Sequence, residues 1–144
     1  MTTYWDTSCI LKLYCRETDS EHYVREIEAS RLPPRSSVLI QVELYYAFQQ
    51  KMAHNETGGR SAGQLFADFR SDVEQGRLHL LPFGEDVASE ARRIAQTCCE
   101  SSPPVHLRSL DGIHLATAIL SGCQRILSTD TRMNCAAALL LPPA

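Results

Sequence analysis

The sequence lacks several features that would assign it to a common class of protein. No apolar run in its 144 residues approaches the roughly 20 residues that span a bilayer, which excludes a membrane-spanning protein. The amino terminus has no basic segment followed by an apolar one, so we expect no signal peptide and a cytoplasmic location. Internal repeats and a domain linker are also missing, which predicts one domain over residues 1–144.

An excess of basic residues is missing as well. The chain carries 14 lysines and arginines against 17 acidic residues, a formal net charge of −3. This balance argues against a generally basic surface that binds nucleic acid. It is compatible with an enzyme that approaches phosphates through a bound divalent metal, because such an enzyme needs acidic residues in its site.

The cysteines do not form a recognisable metal-binding or disulfide pattern. There are six, but no C-x-x-C pair, and Cys98 and Cys99 are adjacent, a poor spacing for a zinc knuckle. Without an export signal, disulfides are not favoured. We interpret the cysteines as free thiols packed like small hydrophobic residues, with a zinc or redox role as the alternative: Cys9, Cys15, Cys98, Cys99, Cys123 and Cys135.

Short apolar strands alternate with helical periodicity along the whole chain, which predicts a parallel sheet covered by helices on both faces. The strands are expected at residues 3–6, 35–38, 78–82 (a buried type) and 125–128, with a small edge strand possible at 139–142. The helices are expected at residues 8–16, 20–30, 39–53, 61–75, 85–98, 109–121 (with Ser109 as its N-cap) and 131–139.

Four carboxylates fall at chemically suggestive places in this pattern. Asp6 ends the first strand, Asp130 follows the strand at 125–128, and Glu43 lies in the helix after the second strand. These positions are at or near the carboxyl edge of a parallel sheet, where ligands bind. Asp111, in the first turn of the helix at 109–121, reaches that edge only through tertiary folding.

If these acids meet, they stay ionised together only with a cation present. Oxygen ligands suit Mg²⁺ or Mn²⁺, which support metal-assisted hydrolysis of a phosphodiester. Each acid also has a simpler interpretation: Asp6 and Asp130 as turn or capping residues, Asp111 as a partner of the helix dipole, Glu43 as the partner of a lysine or arginine. Independently of these interpretations, Thr7 or Ser8 is expected to cap the first helix.

Four short pieces of the chain, in this order, resemble the PIN-domain ribonucleases, specifically the VapC-type toxins of type II toxin–antitoxin pairs. They are Asp6-Thr7-Ser8 with Leu11-Lys12-Leu13-Tyr14 and Glu17; Ser36-Ser37-Val38 with Val42-Glu43-Leu44; Leu110-Asp111-Gly112-Ile113-His114-Leu115-Ala116-Thr117-Ala118; and Ile126-Leu127-Ser128-Thr129-Asp130 followed by Ala136-Ala137.

The resemblance implies a single PIN-like α/β domain with a four- or five-stranded parallel sheet between helices. It implies an endoribonuclease dependent on Mg²⁺ or Mn²⁺, with Asp6 and Asp111 as the principal metal ligands. Glu43 and Asp130 would complete the acidic site, directly or through water, and Ser128 would donate or accept a hydrogen bond within it. The implied partners are an RNA substrate, a cognate antitoxin that blocks the site, and a second copy of the chain in a homodimer.

Other interpretations of these residues stay open. A phosphoaspartate enzyme or receiver domain also places an aspartate after its first strand, but a phosphatase of the haloacid dehalogenase type needs a second aspartate where Ser8 stands. A non-catalytic PIN-like binding module would be favoured if one of the four acids were missing, and all four are present. We expect His114 to be a packed or capping residue rather than a catalytic base. Four basic residues are candidates for holding RNA phosphates, or are simply solvated: Lys12, Arg16, Arg108 and Arg132.

Overall fold

The computed structural model describes residues 1–143, in which four strands alternate with seven helices. None of the helices in that range is both long and apolar enough to cross a membrane. The strands are β1 (Thr3–Trp5), β2 (Arg35–Ser37), β3 (His79–Leu81) and β4 (Arg125–Leu127). The helices are α1 (Thr7–Tyr14), α2 (Ser20–Ala29), α3 (Ile40–Ala53), α4 (Ala62–Glu74), α5 (Glu85–Glu100), α6 (Ser109–Leu120) and α7 (Thr131–Leu140).

The strands form one parallel sheet in the order β3-β2-β1-β4. Tyr4 of the central β1 is paired with Arg35 of β2 on one side and with Ile126 of β4 on the other. The predicted α/β fold with a four-stranded parallel sheet is confirmed. Because all strands run the same way, the chain leaves β1, β2 and β4 at one edge.

The side-chain alternation of β1 divides the core between the two faces of this sheet. Successive residues of a strand point to opposite faces, and here the fully buried Tyr4 and the neighbouring buried Trp5 belong to different hydrophobic clusters. Tyr4 packs with residues of α5, α6 and α7, including Leu115. Trp5 packs with residues of α1, α3 and α4, including Phe48. Helices therefore cover both faces, as predicted.

Two strand predictions are wrong in detail. β3 was expected to be buried, but it is an edge strand, with His79 exposed and Leu80 and Leu81 half-buried. The expected edge strand at residues 139–142 is absent from the described chain, since α7 continues to Leu140. That helix buries Met133 and Ala136, and Leu140 packs against the same cluster. Packing against the core therefore favours continuing the helix to Leu140 over forming a short unsupported strand.

Aspartates rather than hydroxyl residues cap α1 and α7, the helices that follow β1 and β4. Asp6 caps α1, with its side chain accepting a hydrogen bond from the Cys9 N–H, so the expected cap at Thr7 or Ser8 is wrong. Asp130 caps α7 in the same way. The expected cap at Ser109 is also wrong, because Ser109 is already the first helical residue of α6.

The cysteines are free thiols in the described residues. Four of them are buried, which confirms their interpretation as small core residues: Cys9, Cys15, Cys98 and Cys123. Cys99 and Cys135 are exposed, so that interpretation is wrong for these two. Burial raises the pKa of the Cys9 thiol to about 12, which keeps it protonated and unreactive at neutral pH.

Candidate active site

A polar pocket of about 340 Å³ opens at the carboxyl edge of the sheet. All four predicted acids line it, together with three hydroxyl residues, a histidine and an arginine: Asp6, Thr7, Ser8, Glu43, Arg108, Asp111, His114, Thr129 and Asp130. Asp6 and Asp130 reach it because they follow β1 and β4, and Glu43 because α3 begins just after β2. Asp111 reaches it because α6, packed along α5 and near β2, starts at this edge.

Asp6 is held in place by its own helix. It is only 6% exposed, and its Oδ1 accepts hydrogen bonds from the Cys9 N–H at 3.3 Å and from the Ser8 hydroxyl at 2.5 Å. The Ser8 oxygen in turn accepts a hydrogen bond from the Thr129 N–H at 3.2 Å. Ser8 therefore joins the segment after β1 to the segment after β4, the two neighbouring parts of the pocket.

Glu43 lies in the first turn of α3 and is held by two polar partners. Its Oε1 accepts a hydrogen bond from the Thr7 hydroxyl at 3.0 Å and lies 2.6 Å from Nε2 of His114. The expected lysine or arginine partner is therefore wrong for this residue. On the far side of the imidazole, Nδ1 of His114 lies 2.6 Å from the Tyr4 hydroxyl. Burial raises the pKa of the Tyr4 phenol, so this hydroxyl keeps its proton.

Asp111 and Asp130 share one partner, Arg108. The guanidinium of Arg108 lies 3.1 Å from Oδ2 of Asp111 and 3.4 Å from Oδ2 of Asp130. Its hydrogen bond with Asp111, and then the charges of both acids, raise the pKa of Arg108. The side chain of Arg108 is 66% exposed, so it closes this part of the pocket from the solvent side.

The other oxygen of Asp130 is occupied by its own helix. Oδ1 accepts hydrogen bonds from the backbone N–H groups of Arg132 and Met133, at 2.8 and 3.1 Å. The Met133 hydrogen bond, then the Arg132 N–H and the nearby arginine charges, lower the pKa of Asp130. Asp130 is therefore both a helix cap, as its simpler interpretation held, and a lining residue of the acidic pocket.

The pocket does not present a ready-made metal site. Within residues 1–143, no three His, Cys, Asp or Glu side chains are arranged closely enough to hold a metal ion. Each acid has a protein partner instead: Ser8 for Asp6, Thr7 and His114 for Glu43, and Arg108 for Asp111 and Asp130. The metal-ligand and catalytic roles of the acids stay predictions.

Of the four candidate basic residues, two lie at or near the pocket and two do not. Arg108 is in the pocket, and Arg132 lies 3.9 Å from Asp130. Lys12 is committed to ion pairs with Glu17 and Asp19, at 3.2 and 2.7 Å, and does not line the pocket. Arg16 is exposed and likewise does not line it.

The Ser128 hydroxyl accepts a hydrogen bond from the Asp130 N–H at 3.0 Å, within the loop that carries the acid.

Sequence reasoning missed the polar network behind Glu43. His114 was expected to be packed, and it is, at 2% exposure, but it also connects Tyr4 in the core with Glu43 in the pocket. The available signal was a histidine inside an otherwise apolar stretch of α6, which needs hydrogen-bond partners when buried. The sequence does not say that Tyr4 and Glu43, 110 and 71 positions away, supply them.

The comparison with protein families identifies the class of protein that this fold and pocket define. A family model described as the PIN domain matches residues 3–139, nearly the whole chain. The protein belongs to the PIN domain family, and the predicted membership is confirmed. No curated protein sequence matches the chain significantly.

Two solved structures share the fold over almost their full lengths. VapC20 of Mycobacterium tuberculosis, a toxin that cleaves the sarcin-ricin loop, has a TM-score of 0.69 at 13% identity, and the alignment covers 94% of this chain and 95% of that chain. FitAcB of Neisseria gonorrhoeae has a TM-score of 0.64 at 19% identity, with 95% and 94% covered. At these identities the likeness establishes the shared fold.

Proposed function

We propose that the protein is a divalent-metal-dependent endoribonuclease that acts as the toxin of a toxin–antitoxin pair. The observation that carries this proposal is the pocket in which acids from four separate parts of the chain converge at the carboxyl edge of the sheet. Membership of the PIN family and the likeness to a toxin that cleaves the sarcin-ricin loop support the same function.

The chemistry of the pocket fits a Mg²⁺ or Mn²⁺ ion. Its lining offers carboxylate and hydroxyl oxygens, the donors that these hard cations prefer, and no thiol. Asp6 and Asp111 are the proposed principal ligands, with Glu43 and Asp130 acting directly or through water. A divalent cation, when bound, stabilises negative charge on phosphoryl oxygens and helps to activate the attacking water.

The chain's own residues would prepare this site for an RNA phosphate. Ser8 and Thr7 donate hydrogen bonds to the carboxylates of Asp6 and Glu43. Arg108 neutralises Asp111 and Asp130 while no other cation is present, and a guanidinium is well suited to a phosphate once it is released. The proposal includes an antitoxin that covers the pocket, a homodimer, one domain over residues 1–144 and a cytoplasmic location.

A non-catalytic PIN-like module that binds RNA or protein is the second candidate. It is favoured by one observation, that every pocket acid already has a protein partner and no ligand cluster is assembled in residues 1–143. The two candidates differ in whether RNA is cut.

The test is cleavage of RNA by the purified protein with Mg²⁺ or Mn²⁺, with and without EDTA. We expect cleavage by the wild type, and loss of cleavage with EDTA and in Asp6→Asn and Asp111→Asn. Asp68→Asn is the matched control, because Asp68 is an exposed acid on α4 whose partner is Arg60. Cleavage that survives EDTA and both pocket substitutions would contradict the proposal. Folded protein that binds RNA without cutting it would favour the binding module.

A further inference from the structure

The buried side of the pocket contains a hydrogen-bonded chain that the proposed function does not use. It runs from Tyr4, which is fully buried in β1, through His114 of α6 to Glu43 of α3. Its two links are both 2.6 Å long and join three elements that are distant in sequence. The rings of Tyr4 and His114 also pack edge to face, with centroids 5.8 Å apart.

The donors and acceptors along this chain are compatible with one arrangement of a neutral imidazole. Glu43 offers a carboxylate oxygen, which only accepts, so Nε2 of His114 must carry the proton and donate it to Oε1. Nδ1 is then an acceptor, and the Tyr4 hydroxyl, which keeps its proton in the core, donates to it. Both ring nitrogens of a nearly inaccessible histidine are thereby satisfied.

In the same arrangement, the two carboxylate oxygens of Glu43 differ in their hydrogen-bond partners. Oε1 takes both hydrogen bonds, one from Thr7 and one from His114. Oε2 has no hydrogen-bond partner among residues 1–143, and no side-chain oxygen that is buried in that part of the chain lacks one. Oε2 is therefore accessible to solvent, on a residue that lines the pocket.

We propose that His114 is a positioning residue, held by Tyr4, that fixes Glu43 through Oε1 and leaves Oε2 available to the pocket. The inference deepens the proposed function and rests on it where metal binding is concerned. His114 contacts neither the substrate nor the metal in this proposal. A carboxylate that is oriented from behind by a second residue loses roughly 10- to 100-fold in metal affinity or activity when that residue is removed.

The first experiment determines which ring nitrogen of His114 carries the proton in the metal-free protein, and it does not depend on nuclease activity. In long-range ¹H–¹⁵N NMR spectra at neutral pH, we expect His114 with a protonated Nε2 and an unprotonated Nδ1. Glu43→Gln and Tyr4→Phe should each shift the ring resonances of His114. Tyr14→Phe is the matched control, because the hydroxyl of Tyr14, which packs against the other cluster, donates a partly buried hydrogen bond of the same length, 2.6 Å, to Asp72. A proton on Nδ1, or no response to Glu43→Gln, would overturn the proposal.

The second experiment measures Mn²⁺ affinity by electron paramagnetic resonance. His114→Ala should weaken Mn²⁺ binding by about tenfold or more. His114→Gln should stay within a few-fold of the wild type, because its side-chain amide can still donate to Oε1. Thr117→Ala is the control, since Thr117 is an equally buried polar residue on α6 whose hydroxyl bonds only to the Ile113 carbonyl.

The outcomes separate this inference from the proposed function. A wild type that binds no Mn²⁺ would contradict the proposed metal-dependent function, and the NMR result alone would then decide the positioning role. Equal Mn²⁺ affinity in His114→Ala and the wild type would overturn the positioning role while leaving the metal site intact. If His114→Ala does not fold, His114→Gln against Tyr4→Phe gives the same decision, because only Tyr4→Phe is expected to weaken binding.

Discussion

The two sides of the acidic pocket are built in different ways. On the side whose hydrogen bonds lead into the core, here called the buried side, Asp6 and Glu43 are held by hydrogen bonds from hydroxyl, imidazole and backbone groups. On the open side, Asp111 and Asp130 share the exposed guanidinium of Arg108. On the buried side every partner belongs to the packed fold. On the open side Asp111 depends on one exposed guanidinium that another cation can replace, and Asp130 shares that guanidinium through Oδ2 while its own helix holds Oδ1.

This difference suggests a division of labour for the proposed reaction. A rigid side keeps its carboxylates in position at no cost when a ligand arrives. A side closed by an exposed arginine avoids the repulsion of clustered acids while no metal is bound.

The largest effect should be on catalysis, and it should be equal on the two sides. Glu43→Ala on the buried side and Asp111→Ala on the open side should each lower RNA cleavage on the order of 100-fold or more, because both remove a proposed ligand. Single-turnover cleavage with Mn²⁺ measures it, with Asp68→Ala as the surface control. Wild-type cleavage by Asp111→Ala would remove the open side from the active site.

Folding stability should distinguish the two sides. Asp6→Ala should lower the free energy of unfolding by about 1–2 kcal/mol, because it removes a buried helix cap. Asp111→Ala should change it by less than about 1 kcal/mol, because it removes one ion pair to an exposed arginine. Urea unfolding followed by circular dichroism measures both. Equal losses would mean that the two sides are equally rigid.

Removing the guanidinium of Arg108 from the open side should strengthen Mn²⁺ binding. Arg108→Ala should tighten Mn²⁺ binding by roughly two- to fivefold, because the ion no longer displaces a guanidinium from Asp111 and Asp130. Arg125→Ala is the matched control, since Arg125 is a partly exposed arginine paired with Glu26 outside the pocket. Weaker Mn²⁺ binding in Arg108→Ala alone would show that Arg108 supports the metal site instead of competing for it.

The smallest effect should be on the pH dependence of stability. The pKa of Asp130 is lowered in the folded protein, chiefly by the Met133 N–H, so its ionised form stabilises the fold above the unfolded pKa, about 3.9. That contribution is lost as the pH falls through the lowered folded value. The Asp130→Asn variant should therefore lose less folding stability than the wild type when the pH is lowered from 5 to 2. Thermal unfolding of both proteins at each pH measures this difference. Parallel curves would assign no such contribution to Asp130.

The sequence allowed the fold to be predicted where the local patterns were strong. The strand that ends in Asp6, the apolar periodicity of α3 and the strand before Asp130 all lie where expected. The details that failed depend on neighbours. Whether β3 is buried depends on its position in the strand order, and whether residues 139–142 form a strand depends on the packing of α7. Neither can be deduced from a window of a few residues.

The candidate site also has features that could be predicted from the sequence and features that could not. Asp6, Glu43 and Asp130 could be assigned to one edge from the sequence, because each lies where the chain passes from a strand of a parallel sheet into the next helix. Asp111 was left to tertiary folding, and the packing of α6 brings it to the same pocket. The partners of the acids were not predictable, because Arg108 approaches Asp130 across 22 positions and His114 approaches Glu43 across 71.

Local periodicity and residue type were therefore enough to predict the parallel α/β class, the PIN-type motifs and the four acidic residues. The folded chain was needed to show that one side of the pocket is anchored in the core through Tyr4 and His114 and that the other is closed by Arg108. Hydrogen bonds and ion pairs act over a few ångströms in space, and these partners are far apart in sequence. The sequence therefore shows which polar and charged side chains are available, but only the fold shows which of them come close enough to interact.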